Sequence, residues 1–146
     1  MSKYELYIVL EGLGHSEHHR SHWSFAFHYP GTLLANVHQV LLLNDTRRFY
    51  HYDRRDGVPH PTPGSEGKVL LARLTVNQCT SAQEIISREL PPRNGKDRCQ
   101  DWILNCVIAL EVAELIEPGA SEFLGGCVGL DAATVLARFD AQWTVA

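Results

Sequence analysis

Apolar and polar residues alternate from Tyr4 to Leu10, with Tyr4, Leu6, Ile8 and Leu10 on one face, the period of a half-buried β-strand. A polar, histidine-bearing loop follows over 12–21. Residues 23–29 and 33–43 read as two further strands joined at Pro30-Gly31, a strong turn pair. Asn44-Asp45-Thr46 marks another turn, after which 48–52 reads as a short strand. The stretch 53–67, broken by Pro59, Pro61 and Pro63, is expected to be an irregular loop, and 68–76 the next strand.

The period then changes. Thr80 or Ser81 is expected to cap a helix running to Leu90, with Glu84 three residues after Ser81 as in a capping box. Pro91-Pro92 stops it, and 93–98 is a polar connector. From Cys99 to about Ile116, the spacing of Trp102, Ile103, Cys106, Val107, Leu110, Val112, Ala113 and Ile116 predicts an amphipathic helix. A glycine-rich loop leads to a last helix from Asp131, its expected N-cap, to about Phe139. Strands first and helices second give an α+β domain, an antiparallel sheet with helices packed on it. At 146 residues the chain fits a single domain, 1–146.

Composition narrows the partners. A net charge of −4 gives no electrostatic reason to expect nucleic acid or an anionic membrane. No window approaches the ~20 apolar residues of a membrane span, and Glu5 interrupts the short apolar run near the N-terminus, so a cytoplasmic location is expected. The four cysteines, Cys79, Cys99, Cys106 and Cys127, show no CxxC spacing that would suggest structural zinc. Cys99 and Cys106 stand two helical turns apart, too far to bridge. Reduced thiols are the expectation, with Cys79, Cys106 and Cys127 as small core residues.

Cys99 differs from those three. Its neighbours Asp97, Arg98, Gln100 and Asp101 are all polar, and it opens a helix, whose unpaired N–H groups and partial positive charge favour thiolate over thiol. The bland alternative is a buried small residue at a helix start. His22, ahead of Trp23 at a strand start, is a candidate imidazole partner, against the alternative of a polar strand edge beside a core tryptophan. A three-residue loop, Tyr29-Pro30-Gly31, would set His22 opposite His38; a two-residue Pro30-Gly31 turn would pair it with Gln39 and turn His38 to the other face. Either His38 or Gln39 is therefore the orienting third residue. His15, His18, His19 and His22 form a competing metal-loop reading, but only Glu17 is close enough in sequence to complete a shell, and no metal or other cofactor is expected. Arg47-Arg48 and Arg54-Arg55 read as solvated loop charges, with a substrate carboxylate as the alternative.

Three short motifs, His22-Trp23, Asn36-Val37-His38 and Cys99-Gln100-Asp101-Trp102, taken in that order, resemble the circularly permuted papain-like proteins of the NlpC/P60 superfamily, and most closely their lecithin:retinol acyltransferase-type branch. The Asp97–Trp102 segment and the following helix also resemble small fungal proteins, for which a place in secondary metabolism is a further implication. The resemblance spans roughly residues 4 to 116 in element order. Arg98 stands where that branch has Asn, and the spacing from His22 to His38 is longer. It implies a permuted papain-like fold and a thiol nucleophile working with a histidine.

The expectation is a cysteine-dependent acyl-transfer enzyme, an amidase, thiol hydrolase or acyltransferase acting on a small molecule or peptide. Cys99 attacks, His22 moves the proton, and His38 or Gln39 orients it. Gln100 and Trp23 are the expected oxyanion and substrate contacts, beside the Cys99 backbone N–H. The rival reading is a non-hydrolytic metabolite-binding or isomerase-type pocket protein with Cys99 inert. An interaction domain with Cys99 and His22 pointing apart is a third.

Overall fold

The computed structural model describes residues 3–16, 19–44 and 46–145, without the side chain of residue 44. Five strands form one antiparallel sheet: β1 (Tyr4–Glu11), β2 (His22–His28), β3 (Leu34–Asn44), β4 (Phe49–Pro59) and β5 (Gly67–Leu74). Four helices follow, α1 (Val76–Arg88), α2 (Cys99–Val112), α3 (Ala120–Gly125) and α4 (Ala132–Gln142), so the class is α+β. Strands β1 to β4 are consecutive neighbours, and β5 returns beside β1, giving the order β4-β3-β2-β1-β5.

The alternation in β1 and β2 sorts side chains onto two faces. Leu6, Ile8 and Leu10 with Trp23, Phe25 and Phe27 point toward the helices and join the main core with Trp102, Ile103, Cys106, Val107 and Leu110 of α2. Trp102 stacks edge-on against Phe25, with centroids 6.0 Å apart. Both rings are fully buried, each burial contributing on the order of 2–3 kcal/mol. Val9, Ala26, Ala35 and Val37 form a smaller cluster on the opposite face. The β4–β5 connection crosses that face: His60 stacks on His28 at 4.4 Å and lies 5.1 Å from Tyr7, while Glu66 N donates to Leu10 O at 2.8 Å.

Several boundaries differ from expectation. Residues 53–59 are not loop but the second half of β4, paired with β3 through Gln39↔Asp53 and Val37↔Arg55. As an edge strand, β4 carries Arg54, Arg55 and Asp56 exposed, so its charges mask the strand period. Helix α1 begins at Val76, capped by Thr75 rather than Thr80 or Ser81. Gln78 N donates to Thr75 Oγ1 at 3.2 Å, and Thr75 N donates back to Gln78 Oε1 at 2.9 Å. Helix α2 stops at Val112, and the glycine-rich segment after it holds α3. Asp131 caps α4 as expected, accepting from Thr134 N at 2.8 Å.

The β2–β3 register matches neither turn expected at Pro30-Gly31. The pairs run from Phe25↔His38 to His28↔Ala35, and residues 29–33 separate the strands. Thr32 closes this longer loop by donating to Tyr29 O from both its backbone N and its hydroxyl. The register keeps the parity of the two-residue turn, so His38 faces the helices and Gln39 shares the face of His22.

Candidate active site

Residues 20 and 21, just before β2, are clamped to the first turn of α2. Arg20 pairs with Asp101 at 3.6 Å, and Gln100 Nε2 donates to Ser21 O at 2.9 Å. The Ser21 hydroxyl donates to Gly12 O. Gly14 permits this approach: its φ is +73°, and a Cβ there would stand 2.9 Å from both Ser21 N and Ser21 Oγ. Asp101 also accepts from Arg98 N at 2.8 Å, closing the helix entrance. The clamp sets His22 beside Cys99, whose sulfur lies 4.0 Å from Ser21 O.

His22 follows Ser21 and lies beside Cys99, within reach of its hydrogen bonding and its charge. On its other side His22 Nε2 donates to Gln39 Oε1 at 2.8 Å. Gln39 Nε2 in turn donates to Asp53 Oδ2 at 3.0 Å, an oxygen that also accepts from Arg55 Nε at 3.0 Å. Burial is the largest influence on His22 and disfavours its charge. The hydrogen bond and charge of Cys99, the bond to Gln39 and the carboxylate of Glu11 together outweigh it, and its pKa is pushed up to about 9. Cys99 is partly exposed, whereas Cys79, Cys106 and Cys127 are buried. Burial raises all three of those thiols, Cys79 to about 11.

Two expected site residues, His38 and Trp23, stand apart from the pair, and a third, Gln100, supports it from beneath. His38 is fully buried on the helix-facing side, 2.6 Å from the Tyr52 hydroxyl and 2.9 Å from Gln83 Oε1, out of the His22 face because of the strand parity. Trp23 is fully buried in the main core. Gln100 is also fully buried, and both ends of its amide are used: Nε2 donates to Ser21 O, and Gly129 N donates to its Oε1 at 2.8 Å. It braces the site, its amide bridging Ser21 O and Gly129 N.

Two neighbours went unseen in the sequence. Asp53 fell in a stretch that reads as loop. Tyr50, whose phenol pKa is raised by burial and next by the charge of Cys99, lies within electrostatic reach of the thiol. Tyr50 pairs with Leu42 on β3, and no local signal marks it.

A cleft of about 360 Å³ opens beside His22 on the face away from the helices. Val37, Leu41, Val58, Pro59 and Pro63 wall it, with Gln39, Glu11 and Arg55 as polar lining. Two other cavities, of about 400 and 310 Å³, share Arg73 and Val145 near β5 and contain neither His22 nor Cys99. His15 and His19 are exposed, while His18 and Glu17 lie outside the described residues. Among the described residues no three His, Cys, Asp or Glu side chains are grouped to hold a metal ion, and no helix is long and apolar enough to cross a membrane.

No family model matches this chain, and no curated protein or solved structure matches it either.

Proposed function

We propose that this protein is a cysteine-dependent acyl-transfer enzyme acting on a small molecule or peptide, with Cys99 as nucleophile, His22 as acid/base and Gln39 as the orienting residue. The observation that carries the reading is that Cys99, at a helix N-terminus, is held against Ser21 and so beside a histidine whose Nε2 is held by Gln39. The Cys99 thiolate adds to the substrate carbonyl, and the backbone N–H groups of the first turn of α2 stabilise the oxyanion. The His22 imidazolium protonates the leaving amine or alcohol as the C–N or C–O bond breaks, leaving a thioester on Cys99. Neutral His22 then takes a proton from water or from an acceptor nucleophile, which attacks the thioester and releases the thiolate. The order of base and nucleophile agrees with a permuted papain-like arrangement, and the reading places the protein in that group, in the cytoplasm.

Activated esters of short carboxylic acids test it. Wild-type protein is expected to release the alcohol and carry an acyl adduct on Cys99 visible by mass spectrometry, while Cys99→Ala does neither. Turnover that survives Cys99→Ala would overturn the assignment.

One observation favours the rival reading of a non-hydrolytic pocket protein: the cleft is lined by His22 and Gln39, whereas Cys99 is not among its lining residues. Under that reading Cys99 alkylates no faster than an exposed thiol in an unfolded peptide, and a metabolite bound in the cleft is unaffected by Cys99→Ala.

A further inference from the structure

We infer that Asp53 is a positioning residue that selects which end of the Gln39 amide faces His22, and through it which ring nitrogen is free to take the thiol proton. The inference rests on the acyl-transfer reading and extends it to β4. A glutamine amide is nearly symmetric in shape, and its terminal torsion has two comparable wells. Nothing in Gln39 itself decides whether oxygen or nitrogen meets the imidazole. Asp53 decides it, because its carboxylate only accepts: with Gln39 Nε2 donating to Oδ2 at 3.0 Å, Oε1 must point the other way, to His22 Nε2 at 2.8 Å.

The consequence falls on the proton. An oxygen opposite Nε2 requires a hydrogen there, so the neutral ring carries its proton on Nε2 and presents the lone pair of Nδ1 for the Cys99 thiol. With the amide reversed, Nε2 would have to accept, the neutral ring would carry its proton on Nδ1, and it could not deprotonate the thiol. Arg55 fixes the selector in place: its Nε donates to the same Oδ2 at 3.0 Å, holding the carboxylate against rotation. Gln39↔Asp53 is a direct cross-strand pair, so the relation is built into the β3–β4 ladder.

Second-order alkylation of Cys99 by iodoacetamide, followed from pH 5 to 10, tests the inference without a known substrate. Asp53→Leu is expected to slow labelling about tenfold or more near pH 7 and to alter the pH profile, with thermal stability as a control for folding. Asp53→Asn, which keeps an acceptor oxygen, should restore most of the rate. The double variant Asp53→Leu with Gln39→Glu should also recover it, because a carboxylate offers oxygen whichever way it turns. Asp56→Leu, on the same strand but bonded to Arg54, should label like wild type. Nitrogen-15 spectra of Cys99→Ala above pH ~9.5, where no thiolate competes for the proton, should show the neutral His22 ring protonated on Nε2. A ring protonated on Nδ1, or Asp53→Leu labelling as fast as wild type, would overturn the role of Asp53 while leaving Cys99 as nucleophile. If wild-type Cys99 shows no heightened reactivity, the acyl-transfer reading fails first. Should Asp53→Leu not fold, the Cys99→Ala spectrum and the Asp53→Asn rate still decide.

Discussion

Gln100 Nε2 donates to the carbonyl of Ser21 at 2.9 Å, so the residue after Cys99 grips the residue before His22. This bond ties the two halves of the site together. Gln100→Ala leaves Ser21 O and Gly129 N without their buried partner and is expected to cost roughly 2–4 kcal/mol. Urea unfolding measures that loss, and Cys99 labelling of the folded variant should slow with it. A variant that loses stability but labels at the wild-type rate would detach Gln100 from the alignment of the pair.

Cys99 should be the first of the four cysteines modified by iodoacetamide at pH ~6.5, since the thiolate fraction governs the rate. The other three are buried and their thiols are raised by that burial. Peptide mapping after brief labelling decides; a lead for Cys79 or Cys127 contradicts the assignment.

His22 sets an alkaline limit. Below the ordinary histidine value near 6.5 folded and unfolded chains both hold the proton, and the charged ring contributes its full stabilisation. Between there and about 9 only the folded state keeps it, and the benefit fades as pH rises through the upper value. The gap in melting temperature between wild type and His22→Gln should therefore shrink from pH 6.5 to 9.5. Turnover should fall over the upper part of that range as the proton for the leaving group is lost.

His38 and His60 act in the opposite direction. Burial lowers His38, and burial with Lys68 and His28 nearby pulls His60 down to about 4. Each ring resists protonation when folded, so stability present above pH ~6.5 is lost as pH falls below it, for His60 down to about 4. His60→Leu should flatten this part of the melting profile, and His38→Leu should do so without slowing Cys99 labelling. A slowed Cys99 in His38→Leu would return His38 to the site.

Gly14→Ala combines a positive φ with a Cβ 2.9 Å from the Ser21 backbone. It should destabilise by about 1–3 kcal/mol and slow Cys99 labelling, because Ser21 must shift and His22 follows it. Replacing exposed His15 or His19 with Ala should change stability by ~0.5 kcal/mol or less. Circular-dichroism melts compare all three.

The sheet's first three strands, the start of α2 and the Asp131 cap were legible because local period and capping chemistry specify them. The α1 start was misplaced because Ser81–Glu84 imitates a capping box while the working one, Thr75–Gln78, closes with a glutamine. Gln39 and His38 could not be separated without the β2–β3 register, and that depended on a loop longer than the Pro-Gly pair suggests. Asp53 was hidden for a similar reason: its partner is fixed by a ladder whose exposed edge strand does not alternate. Gln100 looked like an oxyanion donor because sequence shows a polar side chain beside a nucleophile, and only packing reveals that its amide bridges Ser21 O and Gly129 N.

The strand order separates the site by chain distance. Strands β1 to β4, which hold His22, Gln39 and Asp53, are adjacent neighbours joined by short connections, whereas β5 pairs with β1 across most of the first half of the chain. Nearby segments meet sooner than remote ones during folding. The imidazole and its supports thus belong to a meander that assembles early, and the sulfur arrives only when α2 docks. Until its second half is seated a newly made chain holds Cys99 away from His22, and any opening that lifts α2 from the sheet separates the two again.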